Sequence, residues 1–234
     1  MFEQIKQPNL LKEIFGQLKQ NIRTGKLKKG DYLPSEREWA ATLGVSRTTL
    51  REAIKAMELV GLLGCVQGSG NYIPTDLSHA LSEPVSVMFM LENGTAQQVV
   101  EFRQAIEIAS VRKLAKMVTP EQLLQLEDLM TGMSRETDPG LLAHMDQQFH
   151  RLTVELTGNP LIISMMNAAE GLIEKQIYDV RSLIMRDETT VAQMKAQHSR
   201  LMDAIRAHNA EEATAAVIDH LDFAGNFQYE GKPG

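Results

Sequence analysis

Residues 33–53, which read LPSEREWAATLGVSRTTLREA, decide the fold of the first part of this chain. Ser35 is a favourable N-cap residue, and Glu38 lies three positions later, where its side chain can reach back to the Ser35 amide. Gly44 permits a tight turn, because a residue without Cβ adopts the left-handed conformation at little cost. Ser46 then caps a second helix that begins with an arginine. The stretch therefore predicts a helix-turn-helix, a motif that places its second helix in a DNA groove.

The second helix of this motif has two distinct faces. Basic residues recur at every fourth position on one face, and apolar residues occupy a face displaced by about a third of a turn at 100° per residue. The basic set is Arg47, Arg51 and Lys55, and the apolar set is Leu50, Ala53, Ile54 and Met57. One face can pack on the preceding helix while the other contacts DNA, since the planar guanidinium matches guanine or a phosphate. A solvated basic helix is the alternative.

Two short apolar runs follow at residues 62–66 and 71–73, on either side of the glycine-rich residues 67–70. This arrangement predicts a β-hairpin, which would be the wing of a winged helix. Lys26, Lys28 and Lys29 precede the motif. They either contact phosphates, which positions a protein on DNA without reading its sequence, or belong to a solvated loop.

The composition of the chain favours a two-part protein of the cytoplasm. Its 234 residues exceed one average domain. No apolar run is long enough to span a bilayer, and the N-terminal residues lack a signal peptide, so we expect no membrane partner. The single cysteine, Cys65, excludes an internal disulfide framework.

Charge is distributed unevenly along the chain. Residues 1–75 carry a net charge of +4 and the remainder −10, which gives the total of −6. Such asymmetry fits a basic DNA-binding module joined to an acidic domain with another task. We predict a winged helix-turn-helix domain at 1–75, a linker at 76–80 and a second domain at 81–230.

The second domain has the sequence features of a helical bundle. Its helix-start signals are Thr119-Pro120, Asp138-Pro139, Asn159-Pro160 and Asn209, and amphipathic segments occupy residues 99–118 and 161–185. No long strand-like alternation appears. The predicted fold class is mainly α: an N-terminal winged helix with three helices and a small β-hairpin wing, followed by an all-α bundle.

Four side chains of the second domain are candidate metal ligands. Asp146 and His150 are four residues apart and project from the same face of one helix. His198 and His220 lie on two later helices, so three helices could bring one carboxylate and three imidazoles together. These ligands suit Zn²⁺, Ni²⁺ or a similar divalent ion. By spacing alone, surface or hydrogen-bonded histidines are the alternative.

The first domain resembles the N-terminal domain of GntR-family transcription factors. The resemblance lies in residues 33–38, 43–53, 61–62 and 67–70. It implies that the arginines at 37, 47 and 51 contact operator DNA and that Gly68 lets the wing approach the minor groove. The expected DNA-binding residues are Arg37, Ser46, Arg47, Thr48, Thr49, Arg51, Gln67 and Gly68. Some members carry histidine at the position of Gln67.

The second domain resembles the FCD ligand-binding domain of the FadR branch of that family. Residues 145–150, 198–205 and 219–221 are similar to its aspartate and histidine motifs, in the same order. The resemblance implies a metal site at Asp146, His150, His198 and His220 and a small carboxylic acid as effector. It also places Arg103 at the effector pocket, whereas an ion pair with Glu107 is the alternative.

These features predict a homodimeric, metabolite-responsive regulator that binds a palindromic double-stranded operator, not an enzyme. Three alternatives stay open: a helical metalloenzyme with an appended DNA-binding domain, a sensor of long acyl thioesters, and a regulator with a purely structural metal and a different effector. His79, His144 and His208 match no motif and are expected to be structural.

Overall fold

The computed structural model describes residues 10–75 and 80–230, which form two compact units that divide between Leu81 and Ser82. In the first unit, helix α1 (Leu10–Arg23) precedes α2 (Glu36–Leu43) and α3 (Arg47–Leu59). Strands β1 (Gly64–Val66) and β2 (Gly70–Tyr72) then pair antiparallel, with Cys65 opposite Asn71. This unit is the winged helix-turn-helix that the sequence predicts.

Local hydrogen bonds confirm the predicted helix boundaries of the motif. Ser35 and Glu38 form the capping box of α2, and Gly44 ends that helix with φ +66°. The Ser46 hydroxyl accepts a hydrogen bond from the Thr49 amide at the start of α3. Helix α3 buries its predicted apolar residues against α1, α2 and the two residues that flank the hairpin, Leu63 and Ile73. The buried residues of α3 are Leu50, Ala53, Ile54 and Met57. The basic face of α3 is left in solvent.

The second unit is an all-α bundle. Its helices are α4 (Ser82–Leu91), α5 (Ala96–Met117), α6 (Pro120–Arg135), α7 (Pro139–Glu155), α8 (Pro160–Ala168), α9 (Glu170–Ile184), α10 (Glu188–Arg206) and α11 (Ala210–Glu230). Helix α5 packs along α11, which also contacts α10, and α7 packs against α5, α6 and α9. The long buried helices thus surround a common interior to which α5, α7, α10 and α11 all contribute.

Most helix starts lie where the sequence places them. Thr119, Asp138 and Asn159 cap α6, α7 and α8, each followed by proline in the first turn. The amphipathic segment 161–185 is divided, because α8 ends and α9 begins at Ala169, which makes no side-chain cap hydrogen bond. The predicted linker at 76–80 falls largely on residues 76–79, outside the described residues. Among the described helices, none is both long and apolar enough to cross a membrane.

Candidate functional sites

The residues predicted to contact DNA form one surface on the first unit. One lies on α2, five surround the N-terminus of α3, and two form the tip of the hairpin. These residues, Arg37, Ser46, Arg47, Thr48, Thr49, Arg51, Gln67 and Gly68, are all exposed. Gly68 has φ +84°, a conformation that favours glycine at the wing tip.

Arg51 is held against α2 by an ion pair. Its Nε and Nη2 atoms donate to Glu36 Oε2 at 3.1 and 2.7 Å. The hydrogen bond from Arg51 lowers the pKa of Glu36. A contact between Arg51 and DNA therefore either uses the N–H groups that Glu36 leaves free or replaces this ion pair.

The four candidate metal ligands lie together in the interior of the second unit. Helix α7 supplies Asp146 and His150 one turn apart, α10 supplies His198, and α11 supplies His220. None of the four is more than 3% exposed. One ligand atom from each lies within 4.8 Å of those from the others. His150 Nε2 is 3.0 Å from His220 Nε2, and His198 Nε2 is 2.9 Å from Asp146 Oδ1.

Neighbouring groups orient two of the imidazoles. Glu107 Oε2 lies 2.6 Å from His150 Nδ1, and Glu107 Oε1 accepts a hydrogen bond from Arg103 Nε at 2.7 Å. His198 Nδ1 lies 3.1 Å from the Met194 carbonyl oxygen. If each Nδ1 donates to its oxygen neighbour, each Nε2 presents a lone pair to the cluster. Such outer hydrogen bonds are the usual means of orienting a metal-binding histidine.

Burial and charge set the protonation states of the cluster. Burial alone would raise the pKa of Asp146, but the charges of Arg181 and His198 outweigh it and hold that pKa well below its usual range. Arg181 Nη2 donates directly to Asp146. Burial lowers the pKa of His198, and the nearby Asp146 carboxylate partly offsets this effect. Burial lowers the pKa of His220 well below its usual value, and the charges of His198 and His150 lower it further. The ionised form of Asp146 and the neutral forms of His198 and His220 are the states that metal binding requires.

The donor set fits a divalent transition metal. In a tetrahedral zinc site with bonds of about 2.0–2.1 Å, neighbouring ligand atoms are about 3.3 Å apart. The two closest pairs here are 3.0 and 2.9 Å apart, and one ligand atom from each of the four residues lies within 4.8 Å of the others. His220 Nδ1 is buried and has no hydrogen-bond partner among the described residues, which is uncommon for a group without a function. One carboxylate and three imidazoles match the borderline preference of Zn²⁺ and Ni²⁺.

Arg103 lies beside this cluster on α5 and is 1% exposed. Its ion pair with Glu107, the alternative expected from the sequence, is present. Arg103 Nη1 also donates to Gln176 Oε1 at 2.9 Å, whereas its Nη2 atom has no hydrogen-bond partner within the described part of the chain. The effector-binding role of Arg103 stays a prediction.

Two other histidines among the described residues lie apart from the cluster. His144 is exposed on α7 and contacts Gln148, and His208 Nδ1 lies 3.0 Å from the Ala115 carbonyl oxygen. His79 lies outside the described residues.

Sequence reasoning missed Arg181, which bonds to Asp146. The signal was a charged residue in the apolar stripe of α9, where Ile177, Val180 and Ile184 are buried on the same face. A charge in such a stripe indicates a buried partner, because an unpaired buried charge is costly. The sequence does not reveal which residue that partner is.

The first unit is a winged helix with exposed arginines, and the second is a helical bundle with a buried cluster of one carboxylate and three histidines. This combination defines a class of protein: a DNA-binding regulator with a second, ligand-binding domain.

Comparison with protein-family models identifies the family of each unit. Residues 10–73 match the bacterial regulatory proteins of the gntR family, and residues 98–223 match the FCD domain. The chain belongs to the GntR family, as a regulator with an FCD domain.

Curated relatives agree with this assignment. The HTH-type transcriptional regulator LutR of Bacillus subtilis is 30% identical over 86% of this chain and 92% of its own length. The HTH-type transcriptional repressor NanR of Enterobacter sp. is 27% identical, covering 88% of this chain and 80% of its own. A putative L-lactate dehydrogenase operon regulatory protein of Escherichia coli is 26% identical, covering 90% and 83%.

A solved structure, Streptococcus agalactiae GntR, has a similar fold, with a TM-score of 0.71 and 24% identity over 92% of this chain and 99% of its own. The family matches and the curated relatives identify the chain as a transcriptional regulator and not an enzyme, so they do not support the metalloenzyme alternative.

Proposed function

We propose that this regulator binds a palindromic double-stranded operator as a homodimer and senses a small carboxylic acid at a metal site in its FCD domain. The metal is a divalent ion, with zinc favoured and nickel or another transition metal as alternatives. The DNA-binding domain would comprise residues 1–75 and the effector domain residues 81–230, joined by 76–80. Two-fold symmetry of the dimer would match the symmetry of the operator.

The buried cluster of Asp146, His150, His198 and His220 is the observation that carries this proposal. Four ionisable groups with at most 3% exposure are costly to place in a protein interior. A bound cation would supply the partner that offsets this cost. The metal would act as a Lewis acid that attracts an oxygen of the acid.

Two arginines support an anionic effector. Arg103 has a free Nη2 within the described structure, and Arg181 has a free Nε. Both are nearly inaccessible, at 1% and 6% exposure. An arginine in a dry site forms strong, directed hydrogen bonds to a carboxylate. The relative named for an L-lactate dehydrogenase operon is consistent with a small organic acid as the signal.

An effector changes DNA binding only if it binds one arrangement of the dimer better than another. In this regulator an acid at the cluster would draw together α7, α10 and α11, which supply the four ligands. We propose that this movement alters the spacing of the two DNA-binding domains. By linkage, the operator must change the affinity for the acid by the same factor.

The test is a thermal melt of zinc-loaded and metal-stripped protein against a panel of carboxylic acids. A ligand that binds only the folded state stabilises it by about 2.7 kcal/mol at a hundredfold its dissociation constant. We expect at least one acid to raise the melting midpoint of the zinc-loaded protein and not of the stripped protein.

An acid that passes this test should also change the affinity for operator DNA, measured by fluorescence anisotropy. If no acid produces a metal-dependent shift, acid sensing at this cluster is wrong. The regulator would then have a structural metal and a different effector.

A further inference from the structure

A cavity of about 220 Å³ lies beside the proposed metal centre. Helices α6, α7, α9 and α10 line it, and His198 is one of its wall residues. Because His198 is also a member of the cluster, a molecule in this cavity lies next to the candidate metal ligands. The shape and lining of the cavity therefore indicate which acid the regulator senses.

The charged groups that line the cavity are all positive. Arg181 and Lys195 are both in the wall, and the described lining contains no aspartate or glutamate. Arg181 is 6% exposed, and its Nε atom has no hydrogen-bond partner in the described structure. Lys195 precedes His198 by three residues on α10, so both project from one face of that helix. This end of the cavity suits one carboxylate.

The rest of the lining is apolar. It consists of Met130, Met133, Leu142, Ile184, Met185 and Val191. Apart from His198, the uncharged polar side chains described in the wall are Ser134 and Ser199, and the Ser134 hydroxyl already donates to the Thr131 carbonyl at 2.8 Å. Against the apolar part of the wall, a ligand hydroxyl or second carboxylate would lose its water without gaining a partner, which weakens binding. The remaining hydroxyl, Ser199, is exposed and lies one helical turn from Lys195, at the charged end of the cavity.

The volume sets the size of the ligand. An apolar cavity of about 150 Å³ binds benzene, so this cavity accommodates a body of roughly six to nine non-hydrogen atoms. We propose that the effector is a monocarboxylic acid with an apolar body of this size, either a medium-chain aliphatic acid or an aryl-substituted acid. The carboxylate would lie at Arg181 and Lys195, and the apolar body would contact the methionines and aliphatic side chains. This effector class rests on the proposed acid sensing.

Calorimetric titration of the zinc-loaded full chain tests the proposal. The probes are acetate, butyrate, hexanoate and phenylacetate, compared with lactate, gluconate and succinate. From acetate to hexanoate, we expect the affinity to rise about fourfold for each added methylene, the gain for burying one such group. Gluconate and succinate should bind at least about tenfold more weakly than hexanoate, because their polar groups would be buried unpaired. Hexanamide, which lacks the charge, should also bind more weakly than hexanoate.

A pair of variants locates the binding site. Met130→Gln puts a polar group of similar size into the cavity wall and should weaken hexanoate binding about tenfold while leaving acetate unchanged. Leu124→Gln makes a comparable change on the same helix α6 at a residue outside the cavity that is 60% exposed, and it should alter neither affinity.

The outcomes separate this proposal from acid sensing itself. If lactate, gluconate or succinate binds more tightly than hexanoate and phenylacetate, the apolar effector class is wrong and acid sensing stands. Equal hexanoate affinity in the wild type and Met130→Gln would overturn the assignment to this cavity. If no acid of either set binds, the proposed function fails together with this inference.

Discussion

Replacing Glu107 with glutamine keeps the shape of the side chain but removes the charge behind the cluster. Glu107 is fully buried between Arg103 and His150, at 2.7 and 2.6 Å. Burial alone would raise its pKa, but these two partners lower the pKa to about 2, so the group is ionised at neutral pH. Its loss removes the anion that orients and polarises His150.

Glu107→Gln should weaken metal binding and lower the free energy of unfolding. Removing an outer hydrogen-bond partner of a metal ligand typically weakens metal affinity 10–100-fold, about 1.4–2.7 kcal/mol. Leaving Arg103 buried without its anion should lower the free energy of unfolding by about 3–5 kcal/mol. Zinc affinity is measured by competition with a chromophoric chelator at pH 7.5, after circular dichroism has shown that the variant is folded.

The matched control is Glu101→Gln, the same change at an exposed position of α5. It should leave both quantities unchanged. A folded Glu107→Gln variant with the zinc affinity of the wild type would refute the reasoning, because His150 would then need no carboxylate to act as a ligand.

Three further predictions concern the protonation of the cluster, two glycines of the first unit and the DNA-binding surface. Burial lowers the pKa of His198 and His220 below 6.5, so the unfolded chain binds more protons than the folded one in acid. The melting midpoint of metal-free protein should therefore fall as the pH drops from about 6.5 to about 5, and a constant or rising midpoint would contradict this. Gly44→Ala places a Cβ at φ +66° and should lower the free energy of unfolding, measured in urea, by about 1 kcal/mol. Gly16→Ala lies inside α1 with open space around it and should raise that free energy by about 0.5–1 kcal/mol. Shifts of the same sign would contradict the assigned backbone conformations. Arg47→Ala should weaken operator binding and reduce the slope of log affinity against log salt by about one, and an unchanged slope would exclude a phosphate contact.

The fold of the DNA-binding unit could be predicted almost entirely from local sequence. Ser35, Gly44 and Ser46 act within one turn of the chain, and their capping hydrogen bonds form where expected. The same holds for the proline-marked starts of α6, α7 and α8. The break between α8 and α9 could not be predicted, because Ala169 carries no turn or capping signal and the break depends on packing.

The candidate metal site also has one part that could be predicted from local sequence and another that depends on the packing of separate helices. Asp146 and His150 share a helix face, so their proximity follows from helix geometry. The approach of His198 and His220 depends on packing among α7, α10 and α11, and a resemblance to known motifs was needed to expect it. The Arg181–Asp146 pair and the cavity beside it arise only from the three-dimensional arrangement of separate helices. The size and polarity of this cavity therefore could not be predicted from the sequence.

The measurement that tests the proposed metal centre most directly is the metal content of purified protein, determined by mass spectrometry for the wild type, His198→Ala and His144→Ala. His198 belongs to the buried cluster, whereas His144 is an exposed histidine on α7. We predict about one transition-metal ion per chain in the wild type and in His144→Ala, and loss of that ion in His198→Ala. Equal metal content in His198→Ala and the wild type, with both proteins folded, would contradict a metal centre at this cluster.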